Sequence, residues 1–126
     1  KSQANSASHV PTFAMEAARV ALGCDESVEG FNREYLKRRE LMREGLSSLP
    51  GLRVPEPEGA FYIFAEVTGT GMSDIEFADG ALEAGVQLIP ASLISGGEGF
   101  IRVSYATDEE AIREGLRRLR TWLIEE

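Results

Sequence analysis

The stretch GFIRVSYATDEEAIREGLRRL, residues 99–119, decides the fold because a strand pattern passes directly into a helix pattern. In its first part the side chains alternate, so that one face of a predicted strand is apolar and the other carries Arg102. In its second part apolar residues recur at helical spacing, which predicts a terminal helix capped by Thr107 together with Glu110. A strand followed by an amphipathic helix indicates helices packed on a sheet.

Two further strands and a helix are predicted in the middle of the chain. The stretch AFYIFAEV, residues 60–67, combines aromatic and β-branched side chains, as strands do. Ser73 and Glu76 have the spacing of a capping box, which predicts a helix that begins at Asp74. The stretch VQLIP, residues 86–90, then predicts a short buried strand.

The N-terminal part of the chain predicts two helices. An alanine-rich stretch from Thr12 to Leu22 favours the first, and apolar residues from Val28 to Leu49 keep helical spacing in a longer second helix. Helices and strands are therefore mixed without strict alternation, which predicts an α+β fold class. We expect a small mixed or antiparallel sheet with helices packed on one face, preceded by long N-terminal helices.

The composition excludes several function classes. With 21 acidic and 13 basic side chains among 126 residues, the net charge of -8 opposes binding to nucleic acid or to an anionic membrane. No apolar run approaches the roughly 18 residues that a membrane span needs. One cysteine, Cys24, and one histidine, His9, cannot build a Cys/His metal site. We therefore predict no metal site and no catalytic residue in this chain, and a cytoplasmic location is the default expectation.

Arg102 needs a partner, because a guanidinium in a partly apolar strand is costly to leave unpaired. One interpretation is an internal cross-strand ion pair with Glu66 or Glu58, and spacing alone favours it. The other is a ligand, since a planar guanidinium can grip a small carboxylate through two parallel hydrogen bonds better than lysine can.

Four stretches in this order resemble the C-terminal part of a class I/II, fold type I aminotransferase that depends on pyridoxal phosphate, nearest to the aspartate aminotransferase group. The resemblance covers essentially the whole chain. Its most specific part is PEGAFY followed by IRVSYA and a capped helix, at the separation that is typical of this family. The four stretches are SQANSAS (2–8), FNREYLKRRELMREGLSSLPGLRVPEPEGAFYIF (31–64), ALEAGVQLIP (81–90) and GFIRVSYATDEEAIREGLRRL (99–119).

The resemblance implies two domains and a role for one arginine. Residues 1–26 would end a large cofactor-binding domain, and residues 27–126 would form a small C-terminal domain. Arg102 would bind the α-carboxylate of an amino-acid substrate, and pyridoxal 5'-phosphate would be the cofactor of the complete enzyme. The lysine that binds this cofactor would lie upstream, because Lys1 directly precedes SQANSAS. We therefore expect the isolated chain to be inactive and to bind no cofactor.

The implied partners are an amino acid and a 2-oxo acid as substrates, the large domain of the same protein, and a second subunit in a homodimer. Because the sequence begins without methionine, we expect it to be a piece of a longer protein. Ala91 stands where the family usually has glycine, and Ile94 where an aromatic residue is common, so the preferred amino acid stays open. The alternatives are a stand-alone α+β module that binds carboxylates without catalysis, and an interaction domain with an internal Arg102 ion pair.

Overall fold

The computed structural model describes residues 10–94 and 97–125, except for the side chain of residue 125. The chain divides into two compact units, Lys1–Arg33 and Glu34–Glu126. No helix among the described residues has the length and apolar character needed to cross a membrane. The main elements are, in chain order, helices α1 (Thr12–Ala21) and α2 (Asp25–Ser47), strand β1 (Tyr62–Glu66), helix α3 (Asp74–Glu83), strands β2 (Ile89–Pro90) and β3 (Phe100–Ser104), and helix α4 (Glu109–Glu125).

The first unit contains α1 and the beginning of α2. Pro11 directly precedes α1, where its fixed φ suits a helix start and its missing N–H costs nothing. Asp25 and Glu26 lie in the first turn of α2, where acidic side chains complement the helix dipole. The large apolar side chains of this unit are exposed: Val10, Phe13, Met15, Val20, Leu22, Val28 and Phe31.

The second unit contains a three-stranded antiparallel sheet in the order β1-β3-β2. Strands β1 and β3 pair over their full lengths, from Tyr62 opposite Ser104 to Glu66 opposite Phe100. Strand β2 pairs with the other side of β3 through two residues. The strand that carries Arg102 is therefore the central one.

Helices of the second unit cover one face of this sheet. The alternation predicted for β3 is confirmed, because every second side chain is buried in the core, and β1 shows the same alternation. The aromatic ring of Phe77 on α3 meets that of Trp122 on α4 edge-on, with 5.1 Å between ring centroids. The α+β fold class and the antiparallel sheet are confirmed. The buried core contains, among others, Leu46, Ile63, Ala65, Phe77, Ile101, Val103, Ile112 and Leu119.

Glycine allows α2 and α4 to approach closely. A Cβ atom placed on Gly45 would lie 2.2 Å from Cδ1 of Leu116, well inside van der Waals contact. Leu116 itself packs against the core, as predicted from the apolar stripe of α4. Glycine at position 45 therefore leaves room for the Leu116 side chain in its present position.

Two predicted boundaries are wrong in detail. Strand β2 is shorter than VQLIP, because the N–H of Val86 donates to the carbonyl of Ala81 at 2.8 Å and so belongs to the C-terminal cap of α3. Helix α4 begins at Glu109, and its cap is Asp108, whose Oδ1 accepts from the N–H of Ala111 at 2.8 Å. Asp108, not Thr107, is therefore the capping residue. The capping box at the start of α3 is confirmed.

Candidate functional site

Arg102 is the third residue of β3, and its side chain lies on the sheet face opposite the core. Its neighbours Ile101 and Val103 are buried, and alternation along a strand sends Arg102 to the other face, where it is half-buried. Its cross-strand partners are Phe64 on β1 and Ile89 on β2. Directly opposite residues share a face of an antiparallel sheet, so Arg102 is flanked by an aromatic and an aliphatic residue.

The guanidinium of Arg102 lies over an aromatic ring. Its carbon Cζ is 4.4 Å from the centroid of the Tyr62 ring, within the range of a cation–π interaction. The Tyr62 ring also packs against the Phe61 ring, with 4.3 Å between centroids. Among the described residues, none accepts a hydrogen bond from Arg102 or forms an ion pair with it. Within the described part of the chain, the N–H groups of Arg102 are therefore free to bind a planar acceptor.

The internal ion pair considered for Arg102 is not formed. The carboxylate of Glu66 instead accepts from Nε of Arg53 at 2.6 Å and from the Thr68 hydroxyl at 2.7 Å. The Thr68 hydroxyl and then Arg53 hold the pKa of Glu66 below its usual value. Glu58, the other proposed partner, forms no ion pair with Arg102 in the described part of the chain. The Glu66 carboxylate bonds to Arg53 and Thr68 instead, so the prediction of an Arg102–Glu66 pair is wrong.

Tyr105 fixes the backbone at the entry to β1. It is 2% exposed, its hydroxyl donates to the carbonyl of Ala60 at 2.7 Å, and its N–H donates to the carbonyl of Phe61 at 3.0 Å. Burial raises the pKa of this hydroxyl. Ala60 has a φ of +60°, a conformation that favours glycine. The two hydrogen bonds hold this unfavourable backbone in place immediately before Tyr62, and nothing in the sequence signals a positive φ at an alanine.

Asp74 is a second feature that sequence reasoning missed. It is 3% exposed, and its Oδ2 accepts from the N–H of Ser92 at 2.9 Å. The sequence places Asp74 at the start of a helix, where acidic residues are common and exposed. Burial of this carboxylate depends on a segment 18 residues away, so local sequence carries no signal for it.

The described residues do not fit the cofactor that the resemblance implies. A covalently held cofactor needs an amine in a protected position, but the side chain of Lys37 on α2 is 62% exposed and donates to a neighbouring glutamate. Cys24 is exposed as well. Lys1, His9 and the stretch SQANSAS lie outside the described residues. Among the residues that the structure does describe, no three His, Cys, Asp or Glu side chains come together as a metal site.

Comparison with known proteins links this chain to one family. The pattern of the family "Aminotransferase class I and II" matches residues 1–119. An aspartate aminotransferase of Pyrococcus horikoshii is 40% identical over 116 residues, which cover 88% of this chain. An aromatic-amino-acid aminotransferase 2 of Thermococcus litoralis is 40% identical over 119 residues, or 90% of this chain. The chain spans 30% of the length of each of these two curated relatives.

Solved structures show the same similarity. The crystal structure of an aromatic aminotransferase from Pyrococcus horikoshii OT3 superposes with a TM-score of 0.75 and 37% identity, covering 79% of this chain and 27% of that chain. An aspartate aminotransferase tetra mutant from Thermus thermophilus gives a TM-score of 0.71 and 36% identity over 78% of this chain and 26% of that chain. The fold of the chain is thus that of one part of these longer proteins.

Proposed function

This chain belongs to the aminotransferase class I and II family, and from this membership we propose that it is the C-terminal part of an enzyme that transfers an amino group between an amino acid and a 2-oxo acid. In this proposal residues 1–26 complete a large cofactor-binding domain, residues 27–126 form the small domain, and the complete enzyme is a homodimer. Pyridoxal phosphate would be held by residues outside this chain and would supply the electron sink there.

The role of Arg102 is to bind the α-carboxylate of the substrate. The observation that carries this role is a half-buried guanidinium on the central strand whose N–H groups have no acceptor among the described residues. A carboxylate presents two oxygens at the spacing of two guanidinium N–H groups, so the pair forms two parallel charge-assisted hydrogen bonds. The apolar neighbours Phe64 and Ile89 reduce the local polarity, which strengthens these bonds.

The contribution of this chain to the reaction is orientation. A carboxylate held in two parallel hydrogen bonds cannot rotate freely, so the adjacent α-carbon and amino group are presented in a fixed direction. The central position of β3, paired on both sides, keeps the arginine backbone in place. We assign no proton transfer to any described residue.

Arg102→Lys in the complete protein tests this role. Lysine keeps the charge but loses the planar fork, and each lost charge-assisted bond is worth about 1.5–3 kcal/mol, so kcat/KM should fall roughly tenfold to several hundredfold. The matched control is Arg53→Lys, because Arg53 pairs with Glu66 at the edge of β1 and is 73% exposed. The control should keep the wild-type kcat/KM. An unchanged kcat/KM in Arg102→Lys, with a lower melting temperature, would contradict the proposal.

The isolated chain offers a second test. Mixed with pyridoxal phosphate and an amino acid, it should give no 2-oxo acid above the rate of the free cofactor, because no described residue offers a protected amine to hold the cofactor. Production of 2-oxo acid that rises in proportion to the chain concentration would show that the site is complete in this chain. A complete protein that binds amino acids without transamination would favour the carboxylate-binding module instead.

A further inference from the structure

Ser104, the last residue of β3, lies two positions after Arg102 on the same face of the sheet. Side chains two residues apart on a strand are separated by about 6.5–7 Å, which a long side chain can bridge. The Ser104 side chain is exposed and that of Arg102 is half-buried, so both are accessible from the face opposite the core. The proposed function assigns no role to the Ser104 hydroxyl.

The Arg102 side chain is displaced along β3 toward Ser104. Its direct cross-strand partner is Phe64, yet its Cζ lies 4.4 Å from the centre of the Tyr62 ring. Tyr62 is the direct cross-strand partner of Ser104, so the contact between Arg102 and Tyr62 is a diagonal one. The guanidinium therefore lies toward the Tyr62–Ser104 pair and not over its own partner.

The Ser104 hydroxyl has a restrained oxygen and an unused proton. Its Oγ accepts from the N–H of Ala106 at 3.2 Å. A hydroxyl carries one O–H donor besides its acceptor positions, and no residue in the described part of the chain accepts a hydrogen bond from this O–H. The bond to Ala106 therefore restrains the oxygen, and within the described residues the proton is left for a ligand.

A carboxylate bound to Arg102 has room for a further donor. Its two oxygens offer about four acceptor positions, of which two parallel bonds from a guanidinium use two. An oxygen that leaves water without gaining a donor in its place weakens binding. A hydroxyl beside the guanidinium can donate to one of the remaining positions.

We propose that Ser104 is a second substrate-binding residue, whose hydroxyl donates to a carboxylate oxygen that Arg102 also holds. The proposal rests on the proposed function, because it takes Arg102 as the residue that binds the α-carboxylate. The carboxylate then receives donors from two side chains of the central strand. Donors from two directions fix the plane of the carboxylate as well as its position, which orients the adjacent α-carbon.

The test compares Ser104→Ala with Ser104→Thr in the complete protein. Alanine removes the donor, and the bond is present both in the bound substrate and during the reaction, so KM for the amino acid should rise about tenfold while kcat stays within about twofold. Threonine keeps the hydroxyl and suits a strand, so its KM should stay within about threefold of the wild-type value.

Ser48→Ala is the matched control, because this exposed serine also forms a local bond, from its hydroxyl to the carbonyl of Gly45 at 2.7 Å. It should keep the wild-type KM. A wild-type KM in Ser104→Ala, with a melting temperature lowered as in Ser48→Ala, overturns the proposal and leaves Ser104 a turn residue. An equal rise of KM in Ser104→Ala and Ser104→Thr also overturns it, because the hydroxyl is then not the group that binds.

Failure of the proposed function is distinguishable from failure of this inference. An unchanged kcat/KM in Arg102→Lys removes the carboxylate from this strand altogether. A lowered kcat/KM in Arg102→Lys together with a wild-type KM in Ser104→Ala keeps the arginine as the carboxylate-binding residue and overturns only the role of Ser104.

Discussion

Cζ of Arg102 lies 4.4 Å from the centre of the Tyr62 ring, and the two residues come from adjacent strands of one sheet. The ring holds the guanidinium from one side without using any of its hydrogen-bond donors. Its contribution is that of a cation–π contact in a partly exposed site, about 0.5–2 kcal/mol.

Tyr62→Leu in the complete protein should therefore lower kcat/KM about three- to tenfold, while Tyr62→Phe keeps the aromatic face and should stay near the wild-type value. Steady-state kinetics on both variants separates the ring from its hydroxyl. Equal losses in the two variants would show that the hydroxyl, not the ring face, is what supports Arg102.

Replacing Ala60 by glycine should stabilise the chain. An L-residue in the left-handed region costs roughly 1–2 kcal/mol, of which the greater freedom of glycine in the unfolded state cancels about half, so the free energy of unfolding should rise by about 0.5–1 kcal/mol. Tyr105→Phe should lower it by about 0.5–1.5 kcal/mol, because the carbonyl of Ala60 loses its donor. Urea denaturation measures both. A loss of stability in Ala60→Gly would mean that the alanine methyl makes a packing contact that outweighs the backbone cost.

The two glycines Gly45 and Gly115 should respond in opposite directions to alanine. At Gly45 the new methyl would lie 2.2 Å from Cδ1 of Leu116, so the Leu116 side chain or the helix that carries it must shift, which costs about 1–3 kcal/mol. At Gly115, inside α4, a Cβ would meet nothing within 4 Å, so the better helix propensity of alanine should add about 0.5–1 kcal/mol. Thermal melting of both variants measures these changes. Equal shifts in melting temperature would contradict the close approach of α2 and α4 at Gly45.

Glu114 should contribute to acid unfolding. Its carboxylate accepts from Nε of Arg117 at 2.7 Å and from Nε of Arg118 at 2.8 Å, and these bonds lower its pKa from 4.5 to about 2. A lowered folded-state pKa means that the stabilisation is fully present above the unfolded-state value and is lost as the pH falls toward the folded-state value. The free energy of unfolding should therefore decrease between pH 4.5 and about 2.

In Glu114→Gln the free energy of unfolding should fall less between about pH 6 and about pH 3 than in the wild-type chain. Urea unfolding at these two pH values measures the difference. Glu110→Gln is the control, because Glu110 lies on the same helix but forms no ion pair with a described arginine. A decrease as steep in Glu114→Gln as in the wild-type chain would assign the acid sensitivity to other carboxylates.

The sequence predicts correctly those parts of the fold and of the site that depend on local or periodic interactions. Alternation placed Arg102 on the face opposite Ile101 and Val103, and the spacing of Ser73 and Glu76 predicted the start of α3 correctly. The sequence does not single out Asp108 as the cap, because Thr107, one position earlier, is also a favoured capping residue and has Glu110 at capping-box spacing.

Long-range contacts were not predictable from the sequence. The engagement of Glu66 by Arg53 depends on a backbone bridge between residues 13 positions apart, and the burial of Asp74 depends on Ser92. The positive φ of Ala60 depends on a hydroxyl 45 residues away. Each of these is a tertiary contact that propensity and periodicity do not encode.

Each border of the small sheet offers few free backbone groups to a further strand at one place. At the β1 border, Arg53 and Glu66 exchange backbone hydrogen bonds of 3.0 and 2.8 Å, which occupies donors that another chain could use. At the other border β2 is two residues long, and one of them, Pro90, has no N–H to offer. Edge strands of this kind are poor templates for amyloid-like stacking. The central strand that carries Arg102 is therefore flanked on each side by a strand that is a poor template for further pairing.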